Sequence, residues 1–346
     1  MQTCDHLSRQ VRRPRRRGQV IPGLDIPPRA TDDLRAQNRA ARTFPMTQTY
    51  RPLAAALWMM GSIAGFSLVA VAGRALRVGL DTFEVMFYRS LVGVVIVTAA
   101  AFYSGALNDL RPRLMGTHLI RNILHFAGQN LWLFALTLIP LAQLFALEFS
   151  YPILVALGAP LFLGERLTRI KMLAAGLGFI GILIVARPFG AGGLSLGLLA
   201  ALACAFGFAG AAIVTKRLTR QTTITAILFW LTVMQSIMGL IGAAHDGVIA
   251  VPHGSLWIWV LVIGAGGLGA HYSLTKALTL APASIVTPID FLRLPLIAVV
   301  GMFLYHEPLD IWVFAGGAII FAANWLNIRS DTNDRKDALP SFSKAT

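Results

Sequence analysis

The 346-residue chain predicts an all-α polytopic membrane protein of ten transmembrane helices, arranged as two inverted five-helix repeats. Three observations lead there. Apolar residues (Ala, Val, Ile, Leu, Met, Phe, Trp, Tyr, Cys) make up 56% of the chain, charged residues only 13%, and mean hydropathy is +0.66. A soluble domain is only about 45–50% apolar even with glycine counted, because most of its residues face water. Apolar runs of about 17–25 residues, the length that crosses a bilayer as a helix, recur along the chain. The chain also matches itself at a displacement of 142 residues.

Residues 1–45 stand apart. They hold ten arginines against four aspartates, include Arg12-Arg13-Pro14-Arg15-Arg16-Arg17, and contain no apolar run of signal-peptide length. They read as a basic, disordered cytoplasmic arm, or as residues upstream of a functional start at Met46. Binding of RNA or anionic lipid by the arginine cluster is the alternative.

Five spans follow near 53–73, 83–103, 117–138, 141–163 and 168–186. Five more lie near 195–215, 224–244, 256–275, 281–304 and 310–328. The third is the most polar, carrying Arg121, His125, Gln129 and Asn130. This divides the chain into a first repeat over 46–187, a second over 188–328, and a cytoplasmic tail over 329–346. Alternate loops carry Arg111 and Arg113, then Arg166, Arg169 and Lys171, then Lys216, Arg217 and Arg220, then Lys276; the tail adds Arg329, Arg335, Lys336 and Lys344. The opposite loops carry Arg74, Arg77 and Arg187. Basic residues collect in cytoplasmic loops, so both termini are expected in the cytoplasm of an integral cell (inner) membrane protein. The arm supplies +6 of the net charge of +14, and the same asymmetry accounts for the remaining +8 without nucleic acid as a partner.

A displacement of 142 places Ala135, Thr137, Leu138 and Pro140 on Ala277, Thr279, Leu280 and Pro282. Gly65 and Phe66 fall on Gly207 and Phe208, Glu148 on Asp290, and Glu165 on Glu307. Each unit has five helices, an odd number, so the second enters the membrane from the opposite side. Inverted repeats of this kind are the architecture of many alternating-access transporters.

The five-plus-five chain resembles the drug/metabolite transporter superfamily, specifically its EamA-type members. The residues that carry the resemblance are Phe87-Tyr88-Arg89, Ile139-Pro140-Leu141-Ala142, Phe162-Leu163-Gly164-Glu165, Asp290-Phe291-Leu292-Arg293-Leu294-Pro295 and Tyr305-His306-Glu307. They span about 53–328. The fourth and ninth spans are most similar to the branch of riboflavin and S-adenosylmethionine transporters. The resemblance implies a fold and a transport function, and leaves the substrate open among amino acids, nucleotide-like metabolites and drugs. As the family's loop glutamates, Glu165 and Glu307 are expected to cap or bridge helices, beside Pro140 and Pro282.

A charge at the centre of a membrane helix costs about 2.5–3.5 kcal/mol on insertion scales, so polar residues within spans are expected to face protein or a water-filled cavity. Glu148 and Asp290, matched across the repeats, are candidates for binding a coupling proton or a cationic group. A structural ion pair of Asp290 with Arg293, three residues on, is the alternative. Arg89 and Arg293 offer guanidinium forks for a carboxylate or phosphate; for Arg89 the favoured reading is structural, as a partner of Glu84 or a reach toward lipid headgroups, while Arg293 reads equally either way. Gln129 and Asn130 fall on His271 and Tyr272, a polar pair at one height in both halves that suits either a substrate site or helix adhesion. His125 reads as packing or interfacial, with proton coupling as the alternative. Tyr151, Trp132, Phe206 and Phe291 are candidates for stacking a planar substrate.

No phosphate-binding loop, zinc signature or nucleophile elbow is present in the sequence. No enzyme activity, cofactor or metal is therefore expected. The reading is a secondary transporter of a small organic metabolite, gradient-driven or exchanging, as a monomer or homodimer. The alternative is a membrane sensor or interaction protein that keeps the fold without transporting.

Overall fold

The computed structural model describes residues 51–163, 168–187, 194–219, 221–245, 247–281, 286 and 289–329, with helical backbone continuing to residue 337. The arm at 1–45, Met46, Glu165 and Pro282 lie outside the described residues.

Eleven α-helices make up the described structure. In the first half they are α1 (Pro52–Leu76), α2 (Thr82–Tyr103), α3 (Met115–Ala135), α4 (Leu141–Glu148), α5 (Tyr151–Leu163) and α6 (Arg169–Ala186). In the second they are α7 (Leu196–Leu218), α8 (Ile224–Ala243), α9 (Leu256–Leu280), α10 (Arg293–Tyr305) and α11 (Ile311–Asp337). Local sequence sets several of the starts. Proline occupies the first turn of α1, where its missing N–H costs nothing. Asp81 and Glu84 form a reciprocal capping box on α2, with bonds of 2.7 and 2.8 Å. Thr168, Ser195 and Thr223 cap α6, α7 and α8. Glu84 also accepts from the Ala250 backbone N–H at 2.6 Å, so its carboxylate holds the start of α2 and is not the partner of Arg89.

Among the described residues, eight helices are long and apolar enough to cross a membrane, with α10 as a shorter apolar helix. The polar stripe of α3 keeps it outside that set despite its 21 residues. The span expected at 141–163 runs as one apolar stretch, yet its helix breaks at Phe149-Ser150. Pro152 cannot donate to a carbonyl four residues back, and Ile153 and Leu154 bond to Ser150 O instead. The Phe149 carbonyl left over accepts a 2.8 Å bond from Asn324 Nδ2 of α11, which supplies the replacement partner that a broken membrane helix requires. The second half breaks at the matching place: Phe291-Leu292 form a turn ahead of α10. A shift of 142 carries Tyr151–Leu163 onto Arg293–Tyr305, end to end.

Packing obeys the same symmetry. The main helix pairs are α1 with α9, α3 with α7, α2 with α8 and α6 with α11; α2 also meets α9, and α3 meets α8. Exchanging the halves turns α1–α9 into α7–α3 and α2–α9 into α8–α3, and carries α2–α8 and α6–α11 onto themselves. The two repeats therefore interlock rather than sitting side by side. Gly65 and Gly207, matched in sequence, occupy matched crossings. A Cβ on Gly65 would lie 2.8 Å from Ala270 Cβ, and one on Gly207 would lie 2.9 Å from Gly128 Cα. Only hydrogen fits there, and this lets the helices approach closely enough for backbone contact.

Candidate functional site

A cavity of about 430 Å³ lies between the repeats. Its wall is built one stripe at a time. On α3, Arg121, His125 and Gln129 recur every four residues and so share one helical face, with Trp132 a turn further on; all four line the cavity. The two helix breaks bring Glu148 and Tyr151, and Asp290 and Arg293, to the same space. Arg89 enters from α2, His271 from α9, and Lys216 and Thr219 from the end of α7. The aromatic lining is Phe66, Trp132, Phe145, Tyr151 and Phe208.

Beyond Phe145, the side chains of Leu133, Leu136, Leu141, Leu144 and Leu147 are fully buried in one apolar cluster. Behind this plug lies a lock centred on Arg74. Its Nε donates to Leu136 O at 2.7 Å and its Nη2 to Ile139 O at 2.9 Å. Its Nη1 meets Glu307 Oε1 at 2.5 Å, and its guanidinium lies 4.5 Å from the centre of the Tyr305 ring. Glu307 Oε2 accepts from the Leu141 N–H at 2.9 Å. Glu307 thus ties the end of the ninth span to the start of the fourth, next to Pro140.

At the centre, Arg293 lies 3.6 Å from both Glu148 and Asp290. That distance balances charge but is too long for a hydrogen bond. Trp132 Nε1 donates to Glu148 Oε2 at 2.8 Å. Arg293 also sits within 4.8–5.1 Å of the ring centres of Phe66, Phe149 and Phe145, a cation–π cage. Arg293 Nε and Asp290 Oδ1 are buried with no hydrogen-bond partner among the described residues. The structure therefore brings together the ion pair read from the sequence and adds Glu148 to it as a third member.

Of the other sequence candidates, Arg89, Gln129 and His271 line the cavity, and Arg89 Nη1 donates to Gln129 Oε1. Phe66 meets the His271 ring edge-on at 5.0 Å. Asn130 and Tyr272 do not line it. Asn130 returns its Nδ2 to Phe126 O of its own helix at 2.9 Å, and the exposed Tyr272 packs edge-on against Trp58. Each is one residue away from a lining position, hence about 100° round its helix. Phe206 is exposed, and Phe291 meets the Phe149 and Phe321 rings at tilted angles; neither lines the cavity. Sequence reasoning missed Arg121 as a wall residue and undervalued His125, whose Nδ1 is bonded to Gln235 Nε2 at 2.7 Å. The four-residue spacing that links them to Gln129 was the available signal.

An interlocked pair of inverted five-helix repeats around a buried polar cavity defines an integral membrane protein of the transporter class. The comparisons make the assignment specific: the EamA-like transporter family matches over residues 53–187 and 195–329, one match per repeat. The chain belongs to that family, within the drug/metabolite transporter superfamily. It is 31% identical over 286 residues to a riboflavin transporter of Brucella anthropi, covering 81% of this chain and 100% of the relative. It is 25% identical over 274 residues to an S-adenosylmethionine uptake transporter of Rickettsia felis, covering 79% and 92%. A solved crystal structure at 20% identity shares the fold with a TM-score of 0.56, over 82% of this chain and 99% of the other.

Proposed function

We propose that the chain is a secondary transporter that carries a small, planar organic metabolite between the repeats by alternating access. The observation that carries this reading is the cavity's one-sidedness. It reaches Lys216 and Thr219 at the end of α7, while neither the leucines of the plug nor Arg74 and Glu307 of the lock line it. In a protein built from interlocked inverted repeats, the same packing with the repeats' roles exchanged would open the opposite end. By the distribution of basic loop residues, the open end faces the cytoplasm and both termini lie there.

The aromatic wall suits a flat ring, and the relatives named for riboflavin and S-adenosylmethionine support a cargo with a conjugated ring system. Glu148 and Asp290 are the candidate coupling groups: two acids share one arginine, which leaves room for one proton or one cationic group of the cargo. No nucleic acid or cofactor enters this scheme.

The test compares cell contents and medium by mass spectrometry in hosts expressing the wild type or Glu148→Gln/Asp290→Asn at equal membrane abundance. A compound that shifts between inside and outside only with the wild type supports transport and identifies cargo and direction together. Identical profiles, followed by no uptake of added riboflavin, S-adenosylmethionine, nucleosides or amino acids into proteoliposomes, would favour a non-transporting scaffold.

A further inference from the structure

The cavity's acids and its cations are distributed differently. Glu148 and Asp290 are symmetric across the repeats and both are matched to Arg293. Arg89 and Arg121 are neither symmetric nor matched. Their positions in the second repeat are taken by Leu231 and Ile263, so the fold itself does not call for a cation at either place. Among the described residues neither makes an ion pair. Arg89 is held by the amide oxygen of Gln129. Arg121 is held by Thr215 Oγ1 at 3.1 Å and Asn122 Oδ1 at 2.9 Å. These partners are neutral oxygens that orient the guanidiniums without cancelling their charge. Arg121 is 8% exposed and lines the cavity with Arg89.

A helix bundle that needed adhesion alone would use neutral polar groups at these positions, as Asn122 does when it donates to Trp230 O at 3.0 Å. A half-buried guanidinium (Arg89) and a buried one (Arg121) line one cavity, with no carboxylate paired to either among the described residues, and they make a receptor for an anion, since each offers a planar fork of donors matched to carboxylate or phosphate oxygens.

We propose that Arg89 and Arg121 form an oxyanion subsite on the first-repeat side of the cavity, so that the cargo carries a carboxylate or phosphate as well as its ring. This deepens the transporter reading and rests on it for the claim that the bound group belongs to cargo. The cargo is then bipolar in its contacts: its anionic group meets Arg89 and Arg121, while its ring lies among the aromatics toward Glu148, Asp290 and Arg293.

The experiment titrates the purified full chain in lipid nanodiscs with sodium phosphate and, separately, sodium acetate, at ionic strength held constant with chloride. The readout is the thermal unfolding midpoint. A saturable rise with either anion is expected, and which anion acts distinguishes phosphate from carboxylate recognition. Arg89→Gln and Arg121→Gln should each weaken half-saturation by about ten- to a hundredfold, the loss of charge-assisted bonds to a desolvated anion. Arg→Lys at either position should recover part of it, whereas the exposed Lys276→Gln should behave as wild type. No anion-specific rise, or a rise that persists in the Arg89→Gln/Arg121→Gln double variant, overturns the subsite. If the subsite holds while proteoliposomes move no cargo, it is the transport reading that fails.

Discussion

Removing the acid from the Arg74–Glu307 lock should open the lock end of the cavity. In Glu307→Gln, Arg74 keeps its bonds to Leu136 O and Ile139 O and its place over Tyr305 but loses its charge partner. The two side chains are 13% and 14% exposed. Breaking a fully buried pair costs about 3–5 kcal/mol; with some solvent reaching this one, about 2 kcal/mol is a reasonable figure. On the alternating-access proposal the lock is made only in the form closed at that end, so the loss falls on the closed form and shifts the equilibrium toward opening about 30-fold, at a factor of ten per 1.4 kcal/mol. The assay places one cysteine in the plug, Leu144→Cys, in a background with Cys4 and Cys204 replaced. It then measures labelling by a membrane-impermeant thiol reagent applied from the lock side. Labelling should rise at least tenfold in Glu307→Gln. Equal labelling with and without Glu307 would refute the lock, and would leave the leucine plug as the sole barrier.

Three further outcomes test the packing. Gly65→Val and Gly207→Val should each lower the thermal midpoint by several degrees, because the added Cβ meets Ala270 or Gly128 at under 3 Å; Gly176→Val, with open space around it, should not. Asn324→Leu removes the donor to Phe149 O at the helix break and should destabilise the protein by about 1–3 kcal/mol in chemical unfolding, the cost of a stranded buried acceptor. Tyr272→Ala, on the outer face, should leave transport within about twofold of wild type in a proteoliposome assay, while Gln129→Ala, which releases Arg89, should lower it tenfold or more.

Much of the fold was legible because lipid imposes simple demands. Spans must be long and apolar, and their number, their basic flanks and the 142-residue echo can be read directly from the chain. The pairing of Glu148 with Asp290 was visible in that echo. The interruption of the fourth span at Phe149-Ser150 was less so: Pro152 marked the site, but Asn324, which makes it affordable, lies 175 residues away from Phe149.

What the chain determined by itself is which segments cross the membrane and which residues correspond between halves, since hydropathy and sequence identity are local properties. Tertiary structure decided which face of each helix points inward, and that depends on packing against other helices. Thus Gln129 faces the cavity and Asn130 does not, His271 does and Tyr272 does not. Arg121, near enough to the start of α3 to snorkel toward water in an isolated helix, is instead held inside by Thr215 of α7. The Arg74–Glu307 lock joins residues 233 positions apart and exists only because the interlocked repeats bring the ends of the first and ninth spans together.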